Sequence, residues 1–209
     1  MMKYLNPNEG LKVFDIKFDV TTAGPSPNNN KRIELFLLGC EKAASGHPCK
    51  GCFNRPLWDA NKAEFSRDPV EIANWIIERT PDNEKYITIG GGEPTDQIDH
   101  LITLCKELRK ADFHIMMYTW RELVIEFNTP GEFRKKLLEL FKYVDMIVDG
   151  QFRIEKKLYQ EDAGDGLLSS IGSGNQIVWD TRQFIGYAME DLNSIRLDEN
   201  NRIIFDVKE

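Results

Sequence analysis

Apolar and polar positions alternate along LKVFDIKFDV, with Leu11, Val13, Phe14, Ile16, Phe18 and Val20 falling largely on every second position, and this predicts a strand with one covered face. RIELFLLG, from residue 32, is a compact apolar run and predicts a second strand. The pattern then changes period. RDPVEIANWIIERT repeats at Val70, Ala73, Ile76 and Ile77, with Asp68 placed to cap a helix and Pro69 at its first position. YITIGGGEP, residues 86–94, is a β-rich run ending in three glycines. DQIDHLITLCKELRK returns to helical spacing at Ile98, Leu101, Ile102, Cys105 and Leu108. FHIMMYT predicts a further strand, residues 120–142 a helical region broken at Pro130 and Gly131, and YVDMIVDG another strand. Strands that alternate with helices imply βαβ units and a mostly parallel sheet, hence an α/β fold.

The punctuation between these elements is also readable. TTAGPSPNNNK, residues 21–31, has the Gly, Pro and Asn content of a mobile loop. QFRIEKKLYQEDAGDGLLSSIGSGNQ is long, polar and glycine-dotted, which suits a functional loop better than an element, and SIRLDENNRIIFDV predicts a closing hairpin about Glu199 to Asn201. There is no internal repeat, and 209 residues suit a single domain spanning 1–209.

Composition narrows the class. With 41% hydrophobic and 29% charged residues the chain has ordinary globular usage, and no window reaches the roughly 18 apolar residues of a membrane span. No membrane association is expected. The opening MMKYLNPNEG lacks a secretory apolar run, so a cytoplasmic location is expected, where cysteines stay reduced. A net charge of -7 argues against direct nucleic-acid binding as the main task.

Three of the four cysteines lie in one stretch, GCEKAASGHPCKGCFN, directly after the second strand. Cys49 and Cys52 have two residues between them in a turn, and the Gly- and Pro-containing arm can bring Cys40 back to them. Two metal centres fit this spacing. Zinc would take Cys40, His47, Cys49 and Cys52 as a closed tetrahedron, in which case the chain could be a non-enzymatic adaptor. An iron-sulfur cluster would take the three thiolates and leave one iron open. Spacing alone does not separate them. Cys105 falls on the apolar face of its helix and reads as a core residue. His100 and His114 read as a helix-surface and a strand position, and Lys42, Lys50 and Arg55 as solvated charges beside the cysteines. In open α/β sheets ligands sit beyond the carboxyl ends of the strands, where the cysteine loop, the GGGE turn, Tyr118 and Asp149 all fall, so these are expected to share one site.

Taken in order, LFLLGC, CKGCFN, IGGGEP, MYTWREL, DMIVDGQF and SIGSGNQIV resemble the radical S-adenosylmethionine superfamily, and within it the activating enzymes of anaerobic ribonucleotide reductases. The resemblance covers about residues 32–180, the expected core. It implies a partial (β/α) barrel with an N-terminal strand and a C-terminal hairpin. It also implies a 4Fe-4S cluster on Cys40, Cys49 and Cys52, whose open iron chelates S-adenosylmethionine. Gly91 and Gly92 would admit the methionyl part closely, Glu93 would take its ammonium or fix the turn, and Gly51, Cys52 and Phe53 would meet the adenine side. Tyr118, Asp149, Asn175 and Gln176 are either ligand contacts or turn-fastening groups. The implied reaction is reductive cleavage of S-adenosylmethionine and hydrogen abstraction from a glycine. The implied partners are the large subunit of an anaerobic ribonucleoside-triphosphate reductase and a one-electron donor such as a flavodoxin. One departure from the family pattern is the spacing of the first two cysteines: eight residues intervene instead of three. Expanded cysteine loops also occur in radical S-adenosylmethionine enzymes acting on small molecules, such as 7-carboxy-7-deazaguanine synthase, which stands as the alternative.

Overall fold

Strand alternation sorts the second strand into two faces. Ile33, Leu35 and Leu37 point one way and are buried, while Arg32, Glu34 and Phe36 point the other. The computed structural model describes residues 4–5, 9–22, 24–26, 31–63, 66–158, 170–184, 192–197 and 203–207. In chain order the strands are β1 (Tyr4–Leu5), β2 (Val13–Thr21), β3 (Lys31–Leu37), β4 (Ser66–Arg67), β5 (Tyr86–Gly91), β6 (His114–Tyr118), β7 (Met146–Asp149), β8 (Ile177–Asp180), β9 (Leu192–Leu197) and β10 (Ile203–Val207). The helices are α1 (Glu41–Ala44), α2 (Pro69–Ile77), α3 (Ile98–Lys110), α4 (Leu123–Asn128) and α5 (Glu132–Phe141).

Six strands form one sheet in the order β2-β3-β5-β6-β7-β8. The pairs β3–β5, β5–β6 and β6–β7 are parallel, and β2 and β8 lie antiparallel at the two edges. This is the mostly parallel α/β sheet that the sequence predicts, consistent with a partial barrel. Ile33, Leu35, Ile87, Ile89, Ile115, Met117, Ile147 and Trp179 form its covered face, packed with buried residues of α2, α3 and α5 in one core. The other face carries Met116, Met146 and Val148, with Tyr118 and Val178 against them. Each parallel strand is thus sealed by helices on one side and left to line an interior on the other.

Asp68 caps α2 by accepting from the Val70 and Glu71 amides, with Pro69 at the first position, as its sequence predicts. The buried face differs from the expectation: Pro69, Ile72, Ala73 and Ile76 are inside, whereas Val70 is 37% exposed. Val70 falls on the side of the first turn away from the buried row of Pro69, Ile72, Ala73 and Ile76. In α3, Ile98, Leu101, Leu104, Cys105 and Leu108 are buried, and Cys105 is a core residue with no exposure. The break at Pro130 and Gly131 separates α4 from α5. Three strands were not foreseen: β1 and β4, which pair with each other, and β8, which IVWD forms along β7. β9 and β10 pair antiparallel as the hairpin requires, and its expected turn at 199–201 lies outside the described residues.

The end of the sheet where the strands begin is plugged by Arg32, only 2% exposed. Its Nε donates to Thr88 Oγ1 (2.8 Å), one terminal nitrogen donates to the Ile87 carbonyl (2.6 Å), and the other donates to the Pro25 carbonyl. Burial lowers its pKa to about 10, still charged at neutral pH. The described part of the 21–31 loop is therefore fastened beneath the sheet, with Gly24 at φ 115° against the Met116 sulfur. Access to the interior lies at the opposite end. Among the described residues no helix is long and apolar enough to cross a membrane.

Candidate functional site

Each parallel strand delivers a short loop at its carboxyl end: Leu38 to Cys40 after β3, Gly92 to Pro94 after β5, Thr119 and Trp120 after β6, and Gly150 after β7. Between them lies a cavity of about 350 Å³, within the range of small-molecule sites. Cys40, Cys49 and Cys52 all line it, with Gly90, Gly91, Gly92, Glu93, Tyr118 and Gly150. The lining also includes Phe53, Asn54 and Trp58 of the cysteine loop, and Phe152, Ser170, Gly172 and Gln176 of the last loop. The expected convergence of the cysteine loop, the GGGE turn and Tyr118 is present. Asp149 is not part of the lining.

The three thiols are held differently. Cys40 is the N-cap of α1; the Gly39 and Cys40 amides donate to the Leu57 and Trp58 carbonyls at 2.8 and 3.0 Å, which fixes the backbone beneath it. Burial pushes the Cys40 thiol up to about 11, the Ala43 amide opposes this, and Glu93, Asp96 and Cys49 add to it. The Cys49 thiol is also raised, first by burial and then by Cys52 beside it. Cys52 Sγ accepts from the Asn54 amide and from Trp58 Nε1, both at 3.4 Å. All four cysteines are free. The pocket therefore gathers three buried or half-buried thiols where a bound metal centre would favour their deprotonation.

Among the described residues, no three His, Cys, Asp or Glu side chains are grouped closely enough to hold a metal ion. Ligands of one zinc must all lie about 2.3 Å or less from a common point, whereas thiolates on separate corners of a cluster need only face one cavity. His47 is exposed and does not line the cavity. Cys40, Cys49 and Cys52 line the cavity, and His47 does not join them there.

The glycines of the GGGE turn have distinct duties. Gly91 has a φ of 118°, and a Cβ there would strike the Leu37 backbone; on Gly92 it would run into the Gly39 carbonyl. Both therefore bring β5 and its turn against the cysteine-bearing backbone, where Gly92 and Glu93 amides donate to the Leu37 and Gly39 carbonyls at 2.9 and 2.7 Å. Gly90 lines the cavity with no atom within 4 Å of its Cβ position.

Glu93 is 1% exposed and heavily engaged. Its Oε1 accepts from Thr95 N (3.0 Å), Thr95 Oγ1 (2.6 Å) and Thr119 Oγ1 (2.8 Å), and its Oε2 accepts from Trp120 N (2.9 Å). Burial raises its pKa, and the donors from Thr95 and Trp120 oppose the rise. The turn-fixing alternative for Glu93 is thus visible in the geometry. Gly51, at φ 82°, packs against Ile154 and is absent from the cavity lining, while Phe53 is 68% exposed and tilts against Phe152 with centroids 4.8 Å apart.

The fastening role extends to the other marked residues. Tyr118 OH donates to the Ser170 carbonyl (2.7 Å), and Asp149 Oδ2 accepts from the Leu123 amide (2.7 Å). Gln176 Oε1 accepts from the Gly172 and Ser173 amides while its Nε2 donates to the Gly150 carbonyl, and Asn175 Nδ2 donates to the Gln151 carbonyl. Lys42 is not a free surface charge: its ammonium lies 4.8 Å from the Trp120 ring centroid. Arg55 lies over Trp58 at 6.0 Å. His114 stacks on Tyr86 at the plugged end, away from the cavity. Sequence reading missed Trp58, Trp120 and Ser170 as lining residues. A Trp six residues after Cys52 carried the only signal.

Residues 29–179 match the family model described as the 4Fe-4S single cluster domain. The chain is 30% identical over 161 residues to the anaerobic ribonucleoside-triphosphate reductase-activating protein of Enterobacteria phage T4, covering 71% of this chain and 83% of that one. It is 29% identical over 132 residues to the pyruvate formate-lyase-activating enzyme of Staphylococcus epidermidis, covering 62% of this chain and 49% of that enzyme, about half its length.

Proposed function

Because this chain belongs to the 4Fe-4S single cluster domain family, related to the radical S-adenosylmethionine activating enzymes, we propose that it installs a glycyl radical on an anaerobic ribonucleoside-triphosphate reductase. The observation that carries this reading is a cavity at the parallel strand ends lined together by all three clustered cysteines and by Gly90, Gly91 and Gly92. Cys40, Cys49 and Cys52 would hold a 4Fe-4S cluster, and S-adenosylmethionine would sit against Gly90 and the GGGE turn. Bound there, the two cofactors supply one-electron cleavage of a carbon–sulfur bond and, through it, hydrogen abstraction from a glycine.

The protein's own groups position and shield. Trp58 Nε1 and the Asn54 amide donate toward the Cys52 sulfur and so fix where it stands in the cavity wall. Glu93 fixes the turn after β5 to the end of β6, so that the floor of the site is set before any ligand enters. The Phe53–Phe152 pair stands at the rim, where apolar rings exclude water from reactive species.

The test is anaerobic reconstitution, measuring iron, sulfide and 5′-deoxyadenosine together, followed by electron paramagnetic resonance of the reductase subunit mixed with the loaded protein and a one-electron donor. Iron and sulfide uptake, cleavage and a glycyl signal are expected, and Cys49→Ala abolishes all three. Stoichiometric zinc in anaerobically purified protein, with no iron uptake, would sink the reading. Turnover on a small molecule without a protein partner would instead favour the synthase-like alternative.

A further inference from the structure

The eight residues between Cys40 and Cys49 begin as one helical turn, α1, whose shape cannot be self-supporting. An isolated helix of four residues lies far below the length at which propagation outweighs nucleation. Its bonds are Ala44 N to Cys40 O, Ser45 N to Glu41 O, Gly46 N to Ala43 O and His47 N to Lys42 O, at 2.8 to 3.0 Å, and Gly46 at φ 83° ends it. Something outside the arm must hold this turn.

Three contacts from other loops do so. Asp96 Oδ2, from the segment after the GGGE turn, accepts from the Glu41 amide at 2.6 Å and so satisfies an open N–H of α1 that the Cys40 side chain leaves uncapped. Arg121, whose side chain is 14% exposed, pairs with Asp96 at 3.0 Å and reaches the Glu41 carboxylate at 3.6 Å. Lys42 lies over the Trp120 ring at 4.8 Å, and the Arg121 guanidinium lies over the same ring at 4.8 Å. The holding groups are themselves fixed: Arg121 Nε donates to Thr95 Oγ1 (2.8 Å), and the Trp120 amide donates to Glu93.

We propose that Asp96, Arg121 and Trp120 form a clamp on the arm through the Glu41 amide and Lys42, setting where the Cys49–Cys52 turn stands relative to Cys40. These are positioning residues. The clamp acts in the protein without metal, and its effect on cluster retention rests on the function proposed above. Cys40 is fixed to the Leu57–Trp58 backbone, Cys52 N bonds to Cys49 O at 3.2 Å, and Trp58 Nε1 holds the Cys52 sulfur from one side, so the arm is the second of two links that set the spacing of Cys40 and Cys49.

Hydrogen exchange of the metal-free protein at the Ala44 to His47 amides tests the clamp directly. Losing a cation–π contact or a cap of this kind shifts a local opening equilibrium by about two- to fivefold, so Lys42→Ala and Asp96→Ala should each speed exchange there by that factor. Lys42→Arg, which keeps a cation over Trp120, should restore the rate. Unchanged exchange in both alanine variants overturns the proposal, and if Asp96→Ala does not fold, the Lys42 pair decides. In the loaded protein, iron loss to a chelator should be faster in Lys42→Ala, with an altered resonance spectrum of the reduced cluster, and normal in Lys42→Arg. Faster exchange with unaltered iron loss and spectrum overturns the positioning role. A wild-type protein that takes up no iron and sulfide overturns the proposed function instead, while the exchange measurement still judges the clamp.

Discussion

Neighbouring glycines in GGGE face opposite demands. Gly92 meets the Gly39 carbonyl, whereas Gly90 meets open cavity. Overpacking a close backbone contact costs about 1–3 kcal/mol or more, so Gly92→Ala should lower the unfolding midpoint by several degrees and displace the Gly39–Cys40 backbone. Gly90→Ala should leave the midpoint close to wild type, yet weaken S-adenosylmethionine binding as measured by calorimetry. Equal melting of the two variants would contradict this division. At this scale the sequence is half legible. Cysteine spacing and the glycine run are local signals, and they mark residues that line the cavity, with Gly51 the exception. The duty of Glu93 depends on Thr119 and Trp120, 26 and 27 residues away, and no local pattern announces such a partner.

At the scale of elements, periodicity located α2, α3 and the parallel strands because each has one face against a common core. It failed at β8. IVWD follows a loop of polar and glycine residues, and an antiparallel edge strand four residues long carries too few alternations to declare itself. The segment just before β8 is fastened by the Gln176 amide, which serves the Gly172 and Ser173 amides and the Gly150 carbonyl at once. Removing it leaves three partly buried backbone groups without that partner, a loss of about 1–3 kcal/mol. Gln176→Ala should accordingly accelerate hydrogen exchange at Gly172 and Ser173 several-fold while α3 amides are unaffected. Exchange at wild-type rates would show that the loop is held by other contacts.

For the molecule as a whole, the buried carboxyl groups shape the response to pH. Burial raises Asp149 from 3.8 to about 6, with Leu123, Trp179 and Ile177 donating against the shift. Because the folded value lies above the unfolded one, its stabilising contribution is complete below about pH 4 and is lost as pH rises through about 6. A shift of this size corresponds to roughly 3 kcal/mol. Asp149→Asn should therefore flatten the dependence of the unfolding midpoint on pH between these values, and an unchanged slope would remove Asp149 as its source.

The four thiols differ in burial, and this gives the protein an internal reagent count. Cys49 and Cys52 are partly accessible, Cys40 is 9% exposed and Cys105 has no exposure at all. A thiol-specific probe should consequently register two quick equivalents and one slow one in the native metal-free protein, with the last released only on unfolding. Ligation of the three clustered sulfurs would silence the first three in the native protein, while unfolding releases all four and supplies a fixed denominator. Ratioing native to denatured reactivity then measures the loaded fraction of any preparation, without a separate protein assay.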